Sequence, residues 1–440
     1  MPARPEGASW TKAPRIVESL VYRRDRVGFT EEGYTHIYVV PADGGTPRQV
    51  TSGDWNHGRS GFSWTPDGKH ILFSSLRIED AEYAWRESEI YAVDVMEGTI
   101  EQLTDRKGPD GNPVVSPNGQ HVAYTGYDWT DDTYNTSRLY VMDRDGSNAR
   151  AISDDLDRSP SGLQWAGDNS GVYFNANSRG TRNLHFASLR GAVRQVTEGN
   201  HMLTTTDVTP SGSAVGVRSA YHESGQLVHF ATRAAEPEVV VDVNEDIMDR
   251  VDLGEVEEIL YPSLDNMEIQ GWVIKPPDFD PEQSYPLILA IHGGPHGMYN
   301  VGFNYRWQLH AAAGYVVLYT NPRGSSGYGK AFGNAIKNAY PGKDYNDLMN
   351  GVDALIAQGF IDEQNMFVYG CSGGGVLTSW VVGQTDRFAA ASANCPVTNW
   401  LSFVGTTDGA SWYRNFEKYP WDDPSEHLRR SPLMYVGNVT

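Results

Sequence analysis

The sequence predicts an all-β domain of repeated small sheets followed by an α/β domain built on a parallel sheet. Three observations carry this reading. Thr or Ser closes a recurring unit at positions 51, 104, 153 and 197, a spacing of 53, 49 and 44 residues. Past Val243 continuous apolar runs alternate with helically spaced apolar residues. One of those runs leads directly into Gly370-Cys371-Ser372-Gly373-Gly374. Residues 1–243 are assigned to the first domain and 244–440 to the second.

The repeating unit opens at Trp64-Thr65-Pro66-Asp67-Gly68, passes through Ile71-Leu72-Phe73 and residues 89–94, and closes at Gln102-Leu103-Thr104. A second opens at Val115-Ser116-Pro117-Asn118-Gly119 and runs through residues 139–143 to Ala151-Ile152-Ser153. A third spans Trp165-Ala166-Gly167-Asp168 to Gln195-Val196-Thr197, and a fourth starts at Val208-Thr209-Pro210-Ser211-Gly212. Gly and Asn in these turns tolerate the positive φ that tight hairpins demand. About four strands in a unit of this length describe a β-propeller blade. A β-sandwich has no reason to repeat these signals in phase. The propeller runs from about Ile16 to Val243, with four repeats and a leading partial one over residues 20–51 whose opening strand signal is missing.

In the second domain, residues 255–261 and 269–275 read as a hairpin ended by Pro276-Pro277. The runs 287–291, 316–319 and 366–369 are apolar throughout, as strands buried on both faces require. Residues 344–358 carry Leu348, Val352, Leu355 and Ile356 at helical spacing. The Gly370–Gly374 run therefore sits between a strand and a helix over 376–382, the setting in which G-x-S-x-G forms a nucleophile elbow. The domain reads as an α/β-hydrolase with Ser372 as nucleophile. An acyl-transfer site also needs two backbone N–H donors for the oxyanion. Gly373 supplies one, and the loop His292-Gly293-Gly294-Pro295-His296-Gly297 after strand 287–291 supplies the other from Gly294. His292 is expected to hold this loop in shape rather than transfer protons. No carboxylate or Cys cluster accompanies His292 and His296, so neither a metal nor another cofactor is expected.

His292-Gly293-Gly294-Pro295, Asn321-Pro322-Arg323-Gly324-Ser325-Ser326-Gly327-Tyr328-Gly329, the pair Asp344 and Asp347, and the run 370–375 resemble the prolyl oligopeptidase family. The acylaminoacyl-peptidase and dipeptidyl-peptidase-like branch is the most similar. The likeness spans essentially the whole chain, since the family also carries a propeller ahead of its hydrolase domain. It implies a serine peptidase acting on short peptides, with the propeller excluding folded proteins. By the same resemblance Ser372 is the nucleophile and Gly294 and Gly373 form the oxyanion hole. Tyr commonly follows the nucleophile in this family. Gly373 in its place keeps the backbone donor and is expected to loosen the elbow.

A serine of this kind needs a His and a carboxylate, which in α/β-hydrolases follow it in the order acid then base. His427 is the sole His after Ser372, and a Ser372/Asp408/His427 triad is disfavoured because 421–427 reads as a surface turn into a short helix capped by Asp423 or Ser425. The acid and base are expected beyond Thr440. The family propeller usually has about seven blades, within the range of the architecture, and this sequence is expected to be a piece cut at both ends. Two alternatives stand beside the peptidase: a carboxylesterase-type hydrolase on the same scaffold, and a propeller binding module with a disabled hydrolase domain. Trp412 is expected to pack in the core or at a pocket rim, Cys371 to be a small filler, and Asp131-Asp132 and Asp154-Asp155 to be solvated turns.

A net charge of −21 without Lys/Arg clusters argues against nucleic acid and anionic membrane surfaces as partners. No apolar run reaches membrane-spanning length, and the first 14 residues lack the apolar core of a signal peptide. Two cysteines, Cys371 and Cys395, are no disulfide framework. The expected setting is cytoplasmic, with small peptides as substrates. Oligomeric state is left open, a homo-oligomer being compatible.

Overall fold

The computed structural model describes residues 5–9, 14–31, 33–79, 81–84, 86–234, 236–409 and 411–440. The stretch of residues 1–14 read above for a targeting signal lies partly outside them.

Four antiparallel sheets of four strands follow one another along the first half. They comprise His57–Trp64, His70–Ser75, Glu89–Asp94 and Ile100–Gln102; then Asp110–Val115, His121–Gly126, Arg138–Asp143 and Arg150–Ala151. The third is Ser161–Trp165, Gly171–Ser178, Thr181–Ser188 and Val193–Gln195, and the fourth Met202–Val208, Ser213–Ala220, Glu223–Ala231 and Glu238–Val241. A single parallel bridge, Arg182 to Met202, joins the last two. The leading partial repeat is reduced to two short strand pairs, Arg23–Arg24 with Gly28–Phe29 and Tyr38–Val39 with Arg48–Gln49.

The closing Thr/Ser of each unit has a definite structural task. Its hydroxyl accepts the N–H of a residue in the neighbouring strand or at its start: Ile37 to Thr51 at 2.9 Å, Ile90 to Thr104 at 2.9 Å, Leu139 to Ser153 at 2.8 Å and Leu184 to Thr197 at 2.9 Å. A buried N–H at the end of a ladder is costly unless paired, and the hydroxyl pairs it where the last strand has run out. The turns are equally local. Asp67 Oδ1 accepts from the Thr65 hydroxyl and the Lys69 N–H while Gly68 takes φ 69°, and Asn118 and Gly119 repeat the arrangement in the next unit.

Apolar residues fill the spaces between successive sheets. Leu72, Ile90 and Leu103 of the first pack on Val122, Tyr124 and Met142 of the second. Leu139 and Val141 pack on Val172 and Phe174 of the third, and Tyr173 and Leu184 on Leu203 and Phe230 of the fourth. Face-to-face stacking of consecutive small sheets is the propeller arrangement.

The second domain is a six-stranded mixed sheet. In spatial order its strands are Val256–Pro262, Glu268–Ile274, Val316–Asn321, Tyr285–Ile291, Ile361–Cys371 and Ala390–Asn394. The first two pair antiparallel, as does the second with the third, and the remaining pairs are parallel. Val316–Asn321 is buried at every position, while Ala390–Asn394 at the edge is exposed at every position. Helix Lys343–Ile356 buries Leu348, Val352 and Leu355 against the sheet, and helix Gly373–Gln384 buries Val376, Leu377 and Val381.

The two domains meet through the glycine-rich run after Val316–Asn321. Asp157 accepts the Lys330 N–H, the Gly327 carbonyl accepts from Arg179 N–H at 3.0 Å, and Asn334 brackets Thr133 and Tyr134. Asp132 pairs with Lys330 at 2.9 Å and Lys337 at 3.3 Å across the same seam. This corrects the expectation of a solvated turn for Asp132, while Asp131 beside it stays exposed. Asp154 does remain solvent-facing, 3.4 Å from a half-exposed Arg138.

Candidate active site

Strand Ile361–Cys371 delivers Ser372 to the C-terminal rim of the sheet, and helix Gly373–Gln384 starts immediately after it. Ser372 takes φ 57° and ψ −120°, a conformation costly for a residue with a Cβ. Its neighbours hold it there. The Ser372 N–H donates to the Asn394 carbonyl at 3.0 Å, and its carbonyl accepts the Val376 N–H at 2.9 Å.

The glycines around it are fixed by close backbone approach. A Cβ on Gly374 would stand 2.2 Å from the Ile291 carbonyl oxygen, and one on Gly375 2.4 Å from the Asn394 carbonyl oxygen. A Cβ on Gly373 would come within 2.9–3.0 Å of the Gly294 backbone. The elbow is thus close-packed against the His292–Gly297 loop, contrary to the looseness expected from Gly373. Gly293 lies on the same seam: its Cβ position is 3.4 Å from Ser372 Cβ. Gly294 has φ 128°, which a side chain would strain. Ser372, Gly373 and Gly294 are therefore brought together, beside the N-terminus of a helix whose partial positive charge favours an anion.

His292 is buried and both ring nitrogens are engaged, Nδ1 with the Gly293 carbonyl at 2.8 Å and Nε2 with the Ser325 hydroxyl at 2.9 Å. Burial lowers its pKa, so the ring is neutral at pH 7. It ties the loop to the run that follows Val316–Asn321. His296 is similarly lowered by burial, with Nδ1 on the Gly324 carbonyl at 2.8 Å.

Sequence reasoning missed Tyr340. Its buried hydroxyl donates to the Gly373 carbonyl at 2.6 Å, and burial holds its pKa well above the usual phenol value. Nothing local marks this residue, because the contact joins segments 33 positions apart.

The alternative triad does not assemble. His427 is fully buried, stacked on Phe416 at 3.8 Å, and neither ring nitrogen has a hydrogen-bond partner among the described residues. Burial, more than the nearby Arg430, lowers its pKa. Asp408 instead accepts the Asp25 N–H at 2.7 Å. The surface-turn reading of 421–427 is corrected at its end: His427 is a core residue, Pro424 occupies the helix cap, and Asp423 accepts from Ser425 N–H at 3.0 Å. Among the described residues no side chain is hydrogen-bonded to the Ser372 hydroxyl.

A cleft of about 520 Å³ opens between the domains over this loop. Arg86, Asp132 and Thr133 of the propeller face Gly293–Gly297, Trp412 and Arg414 of the second domain. Trp412 both lines the cleft and packs on Trp400 and Phe403, with ring centroids 5.5 and 5.4 Å apart. Among the described residues no three His, Cys, Asp or Glu gather as metal ligands, and no helix is long and apolar enough to cross a membrane.

Comparison with known proteins agrees with this architecture. Residues 301–440 match the prolyl oligopeptidase family, and residues 25–128 match the N-terminal region of dipeptidyl peptidase IV. The uncharacterized peptidase YuxL of Bacillus subtilis is 30% identical, over 97% of this chain and 67% of its own length. Dipeptidyl-peptidase 5 of Porphyromonas gingivalis is 28% identical over 90% of this chain and 59% of its own. Among solved structures, an acylaminoacyl peptidase of Pyrococcus horikoshii aligns with TM-score 0.75 and 25% identity over 87% of this chain and 59% of that one. An acylaminoacyl peptidase bound to Z-Gly-Gly-Phe-chloromethyl ketone aligns with TM-score 0.82 and 23% identity, over 97% of this chain and 66% of that one. The chain thus spans about three-fifths to two-thirds of the length of the proteins it matches. With its stacked four-stranded sheets, its hydrolase sheet and its serine elbow, this chain belongs to the prolyl oligopeptidase family of serine peptidases.

Proposed function

We propose that Ser372 is the nucleophile of a peptidase that hydrolyses short peptides through an acyl-enzyme, with the N–H groups of Gly294 and Gly373 as oxyanion donors and His292 as support for their loop. The observation that carries this reading is the Gly293–Gly294 backbone lying against the Ser372–Gly373 elbow. In the first step the Ser372 oxygen would bond to the scissile carbonyl carbon, whose oxygen gains the negative charge that two preset N–H groups stabilise by about 3–4 kcal/mol each. The proton of the Ser372 hydroxyl ends on the departing amine, an ester is left on Ser372, and water then releases the carboxylic acid and restores the hydroxyl. A substrate reaching the cleft passes between two domains, which favours short peptides over folded proteins.

The test uses the natural polypeptide that contains these residues. Peptide anilide hydrolysis and labelling by a fluorophosphonate probe should both vanish in S372A. Retention of either in S372A overturns the assignment. Faster turnover of short-chain esters than of peptide anilides would instead favour an esterase on this scaffold.

A further inference from the structure

The two cysteines stand together on the rim of the sheet, next to the elbow. Cys371 is the last residue of strand Ile361–Cys371, and its register partner on the edge strand is Asn394, the residue before Cys395. Cys395 takes φ 42°, turning its side chain back toward the neighbouring strand end. The sulfurs are 2.8 Å apart, and both residues are exposed. A filler role, expected for Cys371 from the sequence, would have buried it.

We propose that Cys371 and Cys395 are a redox-modification site, a dithiol that small hydroperoxides convert to an intramolecular disulfide and small thiols restore. Three observations carry it. Cys371 and Cys395 stand at neighbouring parallel strand ends, whose usual spacing of about 4.7–4.9 Å lies within the disulfide Cα span of about 4.4–6.8 Å. Both sulfurs are open to a small oxidant. No third cysteine exists in the sequence to compete for either of them.

The pair is also polarised. The hydrogen bond between the sulfurs is the main cause that raises the Cys371 pKa and lowers that of Cys395, the latter helped by the Ser372 backbone. Either sulfur can be the donor in that hydrogen bond, so either thiolate can attack first, and the route through Cys395 is representative. The Cys395 sulfur bonds to one peroxide oxygen, the O–O bond breaks, and the alkoxide leaves as an alcohol after taking a proton. The Cys371 sulfur then attacks the resulting sulfenic sulfur, and the departing hydroxide leaves as water with the Cys371 proton. Two thiols and one hydroperoxide yield one disulfide, one alcohol and one water. The new bond would tie the residue before Ser372 to the turn after the exposed edge strand.

The experiment treats the whole chain, at dilution, with tert-butyl hydroperoxide and reads intact mass, free thiols and a peptide map. The expected product has lost the mass of two hydrogens and both iodoacetamide-reactive thiols, carries a linked peptide joining Cys371 and Cys395, and regains both thiols with dithiothreitol. C395S and C371S should each stay without an internal link and gain oxygen on the remaining sulfur. Wild-type chain that gains oxygen on both sulfurs, links between chains, or keeps both thiols while a control dithiol is oxidised would overturn the proposal. The wild-type peptide map distinguishes these outcomes even where a variant fails to fold.

Discussion

Arg323 and Asp347 form a buried, two-pronged ion pair: Nε donates to Oδ2 at 2.8 Å and Nη2 to Oδ1 at 2.9 Å. The Arg323 backbone N–H adds a third bond to Oδ2 at 2.9 Å. Both side chains are essentially inaccessible to solvent. The pair fastens the run that holds Ser325, and through Ser325 the ring of His292, to helix Lys343–Ile356.

Removing Asp347 leaves the buried Arg323 guanidinium with only the half-exposed Asp265, 2.9 Å away, as counter-ion, at a cost of up to about 3–5 kcal/mol. D347A should lose about that much stability in urea unfolding followed by tryptophan fluorescence. The double variant R323M/D347L should lose less than D347A, since it removes both charges together. An equal or larger loss in the double variant would show that packing rather than charge governs the site.

The closing hydroxyls of the propeller give a second test. T104V keeps the shape of the side chain but orphans the Ile90 N–H, at about 1–3 kcal/mol. T104S keeps the acceptor and should recover most of the loss in thermal unfolding. A loss in T104S as large as in T104V would show that the hydroxyl acceptor is not what the site requires.

Two helical glycines should respond with opposite sign. A Cβ on Gly374 meets the Ile291 carbonyl at 2.2 Å and the His292 carbonyl at 2.9 Å, so G374A should cost about 1–3 kcal/mol despite the better helix propensity of Ala. Gly405, in helix Trp400–Thr406, has nothing within 4 Å of its Cβ position, and G405A should gain about 0.5–1 kcal/mol. Melting temperatures of the two variants check both signs.

Asp344 supplies a pH dependence. Full burial, above the nearby charge of Asp347, pushes its pKa up to about 7, and Oδ2 has no hydrogen-bond partner among the described residues. The folded chain then binds a proton that the unfolded chain releases near pH 4, so this group's contribution falls as pH rises from about 4 to 7 and is flat above. Glu89, raised to about 8 by burial, acts in the same direction. D344N should flatten the curve relative to wild type by about 2–4 kcal/mol between pH 4 and 8. Parallel curves for the two proteins in urea titrations across this range would show that Asp344 stays ionised.

The blades, the buried strands and the elbow were all legible because each is written within a few residues of itself. The Asp67 and Asn118 turns bond to their own neighbours, and the closing Thr or Ser reaches a strand only 13 or 14 positions back. Tyr340, Asp132 and His427 were not legible. Tyr340 acts on Gly373, Asp132 pairs with lysines about 200 positions away, and His427 is buried by Phe416 rather than exposed by its polar flank.

By itself, then, the sequence determined that there would be stacked small sheets, a parallel sheet beside them, and a serine at a strand-to-helix turn. Periodicity and turn chemistry are local, and they survive whatever surrounds them. The tertiary structure alone decided which loops touch that serine. Strand order placed Tyr285–Ile291 and Ala390–Asn394 on either side of Ile361–Cys371. That order set Gly294 against Gly373 and Cys395 against Cys371, because parallel neighbours bring the C-terminal ends of their strands to one rim.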